Sequence, residues 1–298
     1  MRMLLALILI ATAPATAPAP DGMRALQALD ARVADVGFRL ATANVALCAR
    51  REALAGFSLH SLGQYPVADR VAAARAFGFA GVPLFLAVAK NGPAARAGVQ
   101  VGDHLLAVGD APMQETLTRK PDSTAINTAM DAITRSLALG PVKLTVRRGG
   151  MVRTVVLTGQ QGCTSTIEMI PSRKRSAVGD GDVVQLTSGI VLATRDDDEL
   201  AFVIAHELAH NISGHYDWLR ANGRTKANIR KTEAEADAIG VKLMAGAGYD
   251  PYAAARFWSH FGGGLRGSLL SDGTHMKQRE RIAFLRAAAE KAVRPIAQ

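Results

Sequence analysis

The run His206-Glu207-Leu208-Ala209-His210 sets two imidazoles four residues apart, a spacing that a helix brings close together on one face. The neighbouring residues supply the helix. Asp196-Asp197-Asp198-Glu199 is an acidic first turn suited to the positive end of a helix dipole, and Asp196 and Glu199 stand at N-cap and N3 spacing. Leu200, Val203, Ile204, Leu208 and Ile212 recur as a buried stripe, and Gly214 can end the helix. Both rings then project from one side, close enough to share one ion. Glu207 lies around the helix from them, where a carboxylate reaches a metal-bound water.

H-E-x-x-H alone can arise by chance, so a third ligand decides its weight. Thr232-Glu233-Ala234-Glu235-Ala236-Asp237-Ala238-Ile239-Gly240 reads as a second helix on which Glu233 and Asp237 share a face. His206, His210 and Glu233 make a His₂Glu set, a common protein ligand set for one catalytic Zn2+ per chain. Asp237 is placed to fix the tautomer of a ligating histidine, Glu207 is the general base, and Glu235 is expected on a solvated face. His60, His104, His215 and His260 lack ligand spacing and are assigned surface roles.

A chain of 298 residues points to more than one domain. Its net charge of +9 comes from scattered basic residues with no nucleic-acid motif beside them, so it is read as a basic solvated surface without a nucleic-acid partner. Arg2, the apolar stretch Met3–Ala11 and the small-residue tract Thr12–Pro20 have the layout of a signal peptide, taken as 1–17. That apolar run is too short to span a membrane. Export across the inner membrane to the periplasm follows, with a retained N-terminal anchor and membrane association as the alternative. No later segment approaches a transmembrane length.

Residues 18–53 are helix-compatible, with Leu26, Leu29, Val33, Val36 and Leu40 at helical spacing. Short β-rich runs follow: Gly56–Ser61, Pro83–Ala89, His104–Val108, Val142–Arg147 and Met151–Leu157. Helical segments near Val67–Ala76 and over Ser123–Leu139 interrupt them. After Cys163 the texture is helical, with Val183–Thr187 as a strand. Cys48 and Cys163 bracket the β-rich module. In an oxidising compartment they are read as one disulfide, with two separate buried thiols as the alternative.

Gly92-Pro93-Ala94-Ala95-Arg96-Ala97-Gly98-Val99 and Val101-Gly102-Asp103-His104-Leu105-Leu106-Ala107-Val108-Gly109 resemble a PDZ domain of the kind attached to bacterial periplasmic proteases. The resemblance implies a PDZ domain over 54–160. It also implies a groove closed by the Ser123–Leu139 helix, with Gly56, Phe57 and Ser58 as the loop for a peptide C-terminal carboxylate. A purely structural module is the alternative. From Val183 to Leu285 the chain resembles the gluzincin metallopeptidases of family 48, the group containing HtpX, BepA and the CAAX prenyl endopeptidases. Asp198–His210, Glu233-Ala234-Glu235-Ala236-Asp237, Ala247-Gly248-Tyr249-Asp250-Pro251, Thr274-His275 and Arg281-Ile282 carry that resemblance.

What it implies is an α+β multidomain chain, a β-rich PDZ domain followed by a mostly helical zincin-type domain over 163–298. The activity implied is zinc-dependent cleavage of envelope or misfolded proteins. Val183, Val184, Gln185, Leu186 and Thr187 are expected as the edge strand that pairs with substrate, and His275, by analogy, as a candidate fourth ligand or latch. A periplasmic chaperone or scaffold with a latent zinc site is the alternative reading.

Overall fold

The computed structural model describes residues 20–261 and 276–293. The leader expected over 1–17 and His275 lie outside the described residues. Helix α1 (Pro20–Ala43) buries Val33, Val36 and Leu40, the stripe its spacing predicts. It stops at Ala43, well short of residue 53. The Asn44 side-chain amide donates to the Leu40 carbonyl (2.9 Å) and to the Leu243 carbonyl (3.0 Å), so the helix end is tied to a distant segment instead of being extended.

The chain then enters β1 (Arg51–Leu54), β2 (Phe57–His60), α2 (Arg70–Phe77), β3 (Leu84–Val88), α3 (Pro93–Arg96), β4 (His104–Val108), β5 (Ala111–Pro112), α4 (Thr124–Leu139), β6 (Val142–Arg148), β7 (Met151–Leu157) and β8 (Gln160–Cys163). The main sheet runs β2-β3-β4-β6-β7, antiparallel throughout, with β5 on β4. Alternating residues of its strands, among them Phe85, Leu105, Leu144 and Leu157, meet Ile126, Ala129, Ile133 and Leu137 of α4 in one core. Asp103 is buried and pairs with Arg148 through two contacts, 2.6 Å to Nε and 2.7 Å to Nη2, while accepting the Gln100 N–H at 2.9 Å. That network fixes the turn into β4 against the end of β6.

A small second cluster lies where α1 crosses this module, with Met23 against Ala73 and Ala76. His60 is buried there among Tyr65, Phe77 and Phe79, its Nδ1 3.1 Å from the Tyr65 hydroxyl. The surface role expected for His60 is therefore wrong: burial pushes its pKa down to about 3, and the ring is a neutral core group. Burial likewise pushes Asp30 of α1 up to about 7.

β8 turns back to pair with β1, and this two-stranded ribbon closes the β-rich module. Cys163 lies opposite Arg51 in that ribbon and is disulfide-bonded to Cys48, with the Cα atoms 5.3 Å apart. The segment beyond is not helical from the start. β9 (Thr166–Ile170), β10 (Ala177–Gly179) and β11 (Val183–Thr187) form a sheet in the order β10-β11-β9, with β9 parallel and β10 antiparallel to β11. The helices α5 (Ser188–Val191), α6 (Asp197–Ile212), α7 (His215–Asn222), α8 (Lys226–Gly246), α9 (Ala253–Phe261) and α10 (Gln278–Val293) complete the fold.

α6 is the centre of this domain. Leu200, Ile204 and Leu208 are fully buried, and α1, α8, α9 and β11 pack around them. α6 and α8 approach closely at Gly240, where a Cβ would lie 3.2 Å from the His206 nitrogen. Lacking a side chain, Gly240 lets α8 bring Glu233 and Asp237 to the face that carries both histidines. The chain is thus α+β in separate regions, a β-rich one and a mostly helical one. No helix among the described residues is long and apolar enough to cross a membrane.

Candidate metal centre

The start of α6 is capped as its sequence suggests, with the Asp196 carboxylate accepting the Glu199 N–H at 2.8 Å. Glu199 is itself buried, accepts the Arg195 N–H at 2.8 Å and faces His260 Nε2 at 3.0 Å. His260 is thus a partner of this cap and not a surface residue. Two turns on, α6 presents its histidines. His206 Nε2 and His210 Nε2 are 3.3 Å apart, and the Glu233 carboxylate reaches both, Oε2 at 3.3 Å from His206 and Oε1 at 3.5 Å from His210. The three ligand atoms lie within 4.8 Å of one another.

Behind His206 stands Asp237, its Oδ1 3.0 Å from Nδ1, an ion-pair distance without the linear geometry of a hydrogen bond. Asp237 is in turn gripped by Arg281, which donates from Nε and Nη2 at 2.7 Å each. Both are buried, and the guanidinium lies 4.0 Å from the Trp258 ring centroid. Burial acts to raise the Asp237 pKa, but Arg281 and His206 hold it below the ordinary range. Sequence reasoning placed Asp237 but not this role for Arg281, whose partner is 44 residues away.

Three carboxylates, Asp237, Glu233 and Glu207, act on the converging atoms. For His206, burial opposes charging, yet Asp237, Glu233 and Glu207 outweigh it and push the ring up to about 10. His210 goes the other way, down to about 3, through burial and the charge on His206. Once His206 gives up its proton, two imidazole nitrogens and a carboxylate oxygen, backed by a buried acid, are a donor set that suits Zn2+. The residues therefore fit the metal that the spacing implies.

A cleft of about 350 Å³ opens over these atoms. Glu207 lies in it, its pKa raised by burial and pulled back by His206 and by the backbone N–H of Gly179. Ile190, Phe202, Val203, Phe257 and Trp258 form an apolar wall. β10 lines the other side, pressed against α6 so tightly that a Cβ on Gly179 would sit 2.6 Å from the Glu207 carbonyl oxygen. The strand Val183–Thr187, expected to be the free edge, is β11, and it pairs with β10 on one side and β9 on the other. Neither of its edges can accept a substrate strand. The edge at the cleft belongs to β10, too short a run to stand out in the sequence.

His215 also departs from expectation. The chain leaves α6 at Ser213, turns through Gly214 in the left-handed region (φ 63°), and restarts as α7 with His215 folded back over His210. His215 is buried, its Nδ1 3.0 Å from His210 Nδ1 and its Nε2 3.6 Å from Glu235 Oε2. Glu235 is half exposed, as its face predicts, but it is not without a neighbour. His104 does lie near the surface, its Nε2 2.9 Å from the Gly78 carbonyl oxygen.

In the β-rich module Gly56 takes a positive φ of 75° just before β2. With Phe57 and Ser58 it borders a groove of about 510 Å³ between β2 and α4, where Ile126 and Met130 add apolar surface. β2 is an edge strand of its sheet. Phe38 of α1 and Thr166–Glu168 of β9 also line this groove, so it abuts the helical domain.

Residues 84–119 match the PDZ domain family, and residues 176–222 and 220–289 match Peptidase family M48. The second match runs from the approach to β10 into α10, taking in the histidine pair, Glu233, Asp237 and Arg281. The first covers β3 to the segment after β5 and stops short of α4. Compared with curated proteins, the chain finds no match.

Proposed function

We propose that the chain, which matches Peptidase family M48 over 176–289 and a PDZ domain over 84–119, is an exported, periplasmic zinc endopeptidase acting on envelope or misfolded proteins. The observation that carries this reading is the convergence of His206, His210 and Glu233 within 4.8 Å at the floor of a cleft that also holds Glu207. Zinc held by these residues would act as a Lewis acid, polarising the scissile carbonyl and easing deprotonation of water.

The protein's own groups do the rest. Glu207 takes the proton of the attacking water and returns it to the leaving amine, a task favoured by a carboxyl whose pKa is raised by burial. The edge of β10 pairs with substrate as an added strand and sets the scissile bond above the histidines. The apolar wall around Phe202 and Phe257 takes a bulky apolar side chain of the substrate and excludes water. Asp237, steadied by Arg281, keeps the His206 ring oriented. The groove between β2 and α4 takes the C-terminal peptide of a substrate or partner, with Gly56, Phe57 and Ser58 at the carboxylate end. Export rests on the leader-like residues 1–17 and on the Cys48–Cys163 disulfide, which suits an oxidising compartment.

The test is digestion of casein by the purified chain, zinc-loaded and then stripped with a chelator, with bound zinc counted. Hydrolysis at one zinc per chain that stops on stripping and returns on reloading supports the reading. Zinc bound at that ratio with no hydrolysis contradicts it and favours a scaffold.

A further inference from the structure

We propose that His215, backed by Glu235, is a positioning residue of the metal centre, accepting the His210 Nδ1–H and so fixing the tautomer that turns Nε2 toward the other ligands. The inference rests on the zinc-site reading above, and goes beyond it in giving the second histidine ligand a supporting arm.

The argument runs through the protons. His210 Nε2 converges with His206 Nε2 at 3.3 Å and with Glu233 Oε1 at 3.5 Å, so Nε2 must present its lone pair to a shared ion. The ring proton of neutral His210 is then on Nδ1. His215 Nδ1 lies 3.0 Å from it, and two N–H groups cannot face each other at that distance, so His215 Nδ1 accepts. The proton of His215 is therefore on Nε2, a buried atom with no hydrogen-bond partner. The group it faces is the Glu235 carboxylate, with Oε2 at 3.6 Å, too long for a hydrogen bond but close enough to attract and orient an N–H dipole. Each proton position thus follows from the one before it.

The two histidine ligands are consequently supported by different means. His206 has Asp237, whose charge is balanced by Arg281. His210 has a neutral imidazole, with a half-exposed carboxylate, Glu235, one step further out. Neither arm adds an uncompensated buried charge beside the metal. The placement depends on the break after α6. Gly214 reverses the chain, and without that turn His215 would continue around the helix away from His210.

The experiment compares the full chain with His215→Leu, His215→Asn and Glu235→Gln. Zinc affinity is measured by competition with a chelator, the cobalt(II)-substituted protein by its visible absorption, and the metal-free protein by thermal melting. His215→Leu should weaken zinc about 10- to 100-fold, the range typical of outer partners of metal ligands, and shift the cobalt bands. His215→Asn, whose side-chain oxygen can accept the same N–H, should recover most of the affinity. Glu235→Gln should cause a smaller loss, with metal-free melting unchanged. The proposal is overturned if His215→Leu binds zinc within about twofold of the parent with the same cobalt spectrum. It is equally overturned if affinity falls only together with metal-free stability and Asn gives no rescue. A parent chain that takes up no zinc would instead sink the zinc-site reading itself.

Discussion

Replacing Arg281 by Met removes the cation that holds Asp237, and the structure sets the size of the effect. Both side chains are almost completely buried, Arg281 at 3% and Asp237 at 1% exposure, and two 2.7 Å contacts join them. Breaking such a pair from one side leaves a carboxylate in low dielectric, at a cost of about 3–5 kcal/mol. The stacking of the guanidinium on Trp258 is lost as well, adding about 0.5–2 kcal/mol. In the metal-free chain a protonated His206 can take over part of the compensation, since it faces the same carboxylate at 3.0 Å. A metal-bound His206 is neutral and cannot. The loss should therefore be larger in zinc-loaded protein, and zinc should raise the melting temperature of Arg281→Met less than that of the parent. Calorimetry of both forms measures this, with an expected drop on the order of 6–20 °C in the loaded protein. Arg281→Lys, a point charge without the fork, should recover only part. A drop below about 2 °C in both forms would refute the reasoning, because it would mean that the buried pair is not needed to hold Asp237.

Gly179→Ala should push β10 off α6, because its Cβ would fall 2.6 Å from the Glu207 carbonyl oxygen; hydrolysis should fall at least about tenfold with zinc still bound, as expected when an aligning strand is displaced. Cys48→Ser with Cys163→Ser opens a bridge of sequence separation 115, and urea unfolding should show a loss of up to about 4–5 kcal/mol. Asp30 has a folded pKa near 7 against an ordinary 3.8, so folding takes up a proton between those values. The stability this carboxyl contributes is present at low pH and lost as pH rises through that window. Asp30→Asn should accordingly raise the melting temperature at pH 8 and leave it nearly unchanged at pH 4.

The residues of the candidate metal centre could be grouped because each pair lies within one helix. His206 with His210 and Glu233 with Asp237 are four apart, and helical geometry alone puts each pair on one face. The boundaries of β4, β7 and β11 could be read from their runs, and α4 was found to within a residue. What failed was placement. Val183–Thr187 reads as a strand, but nothing in its pattern says that both its neighbours are strands. β10 is three residues long, and β9, which turns Thr166, Glu168 and Ile170 outward, lies in a stretch whose sequence reads as helical. His60, His215 and His260 looked like surface histidines because their partners, Tyr65, His210 and Glu199, meet them across a turn, a helix break or 61 residues of chain. Arg281 was visible as part of a family motif, yet its grip on Asp237 depends on how α10 docks on α8.

The central claim is that Glu207 drives peptide hydrolysis at a zinc ion held by His206, His210 and Glu233. The most direct measurement is casein degradation by the parent chain and by Glu207→Gln, with zinc content determined on the same samples. The account predicts one zinc per chain in both, hydrolysis by the parent, and a loss of about 100-fold or more in the variant, the scale of a missing general base. A Glu207→Gln chain that binds zinc and cuts casein at the parental rate would contradict it.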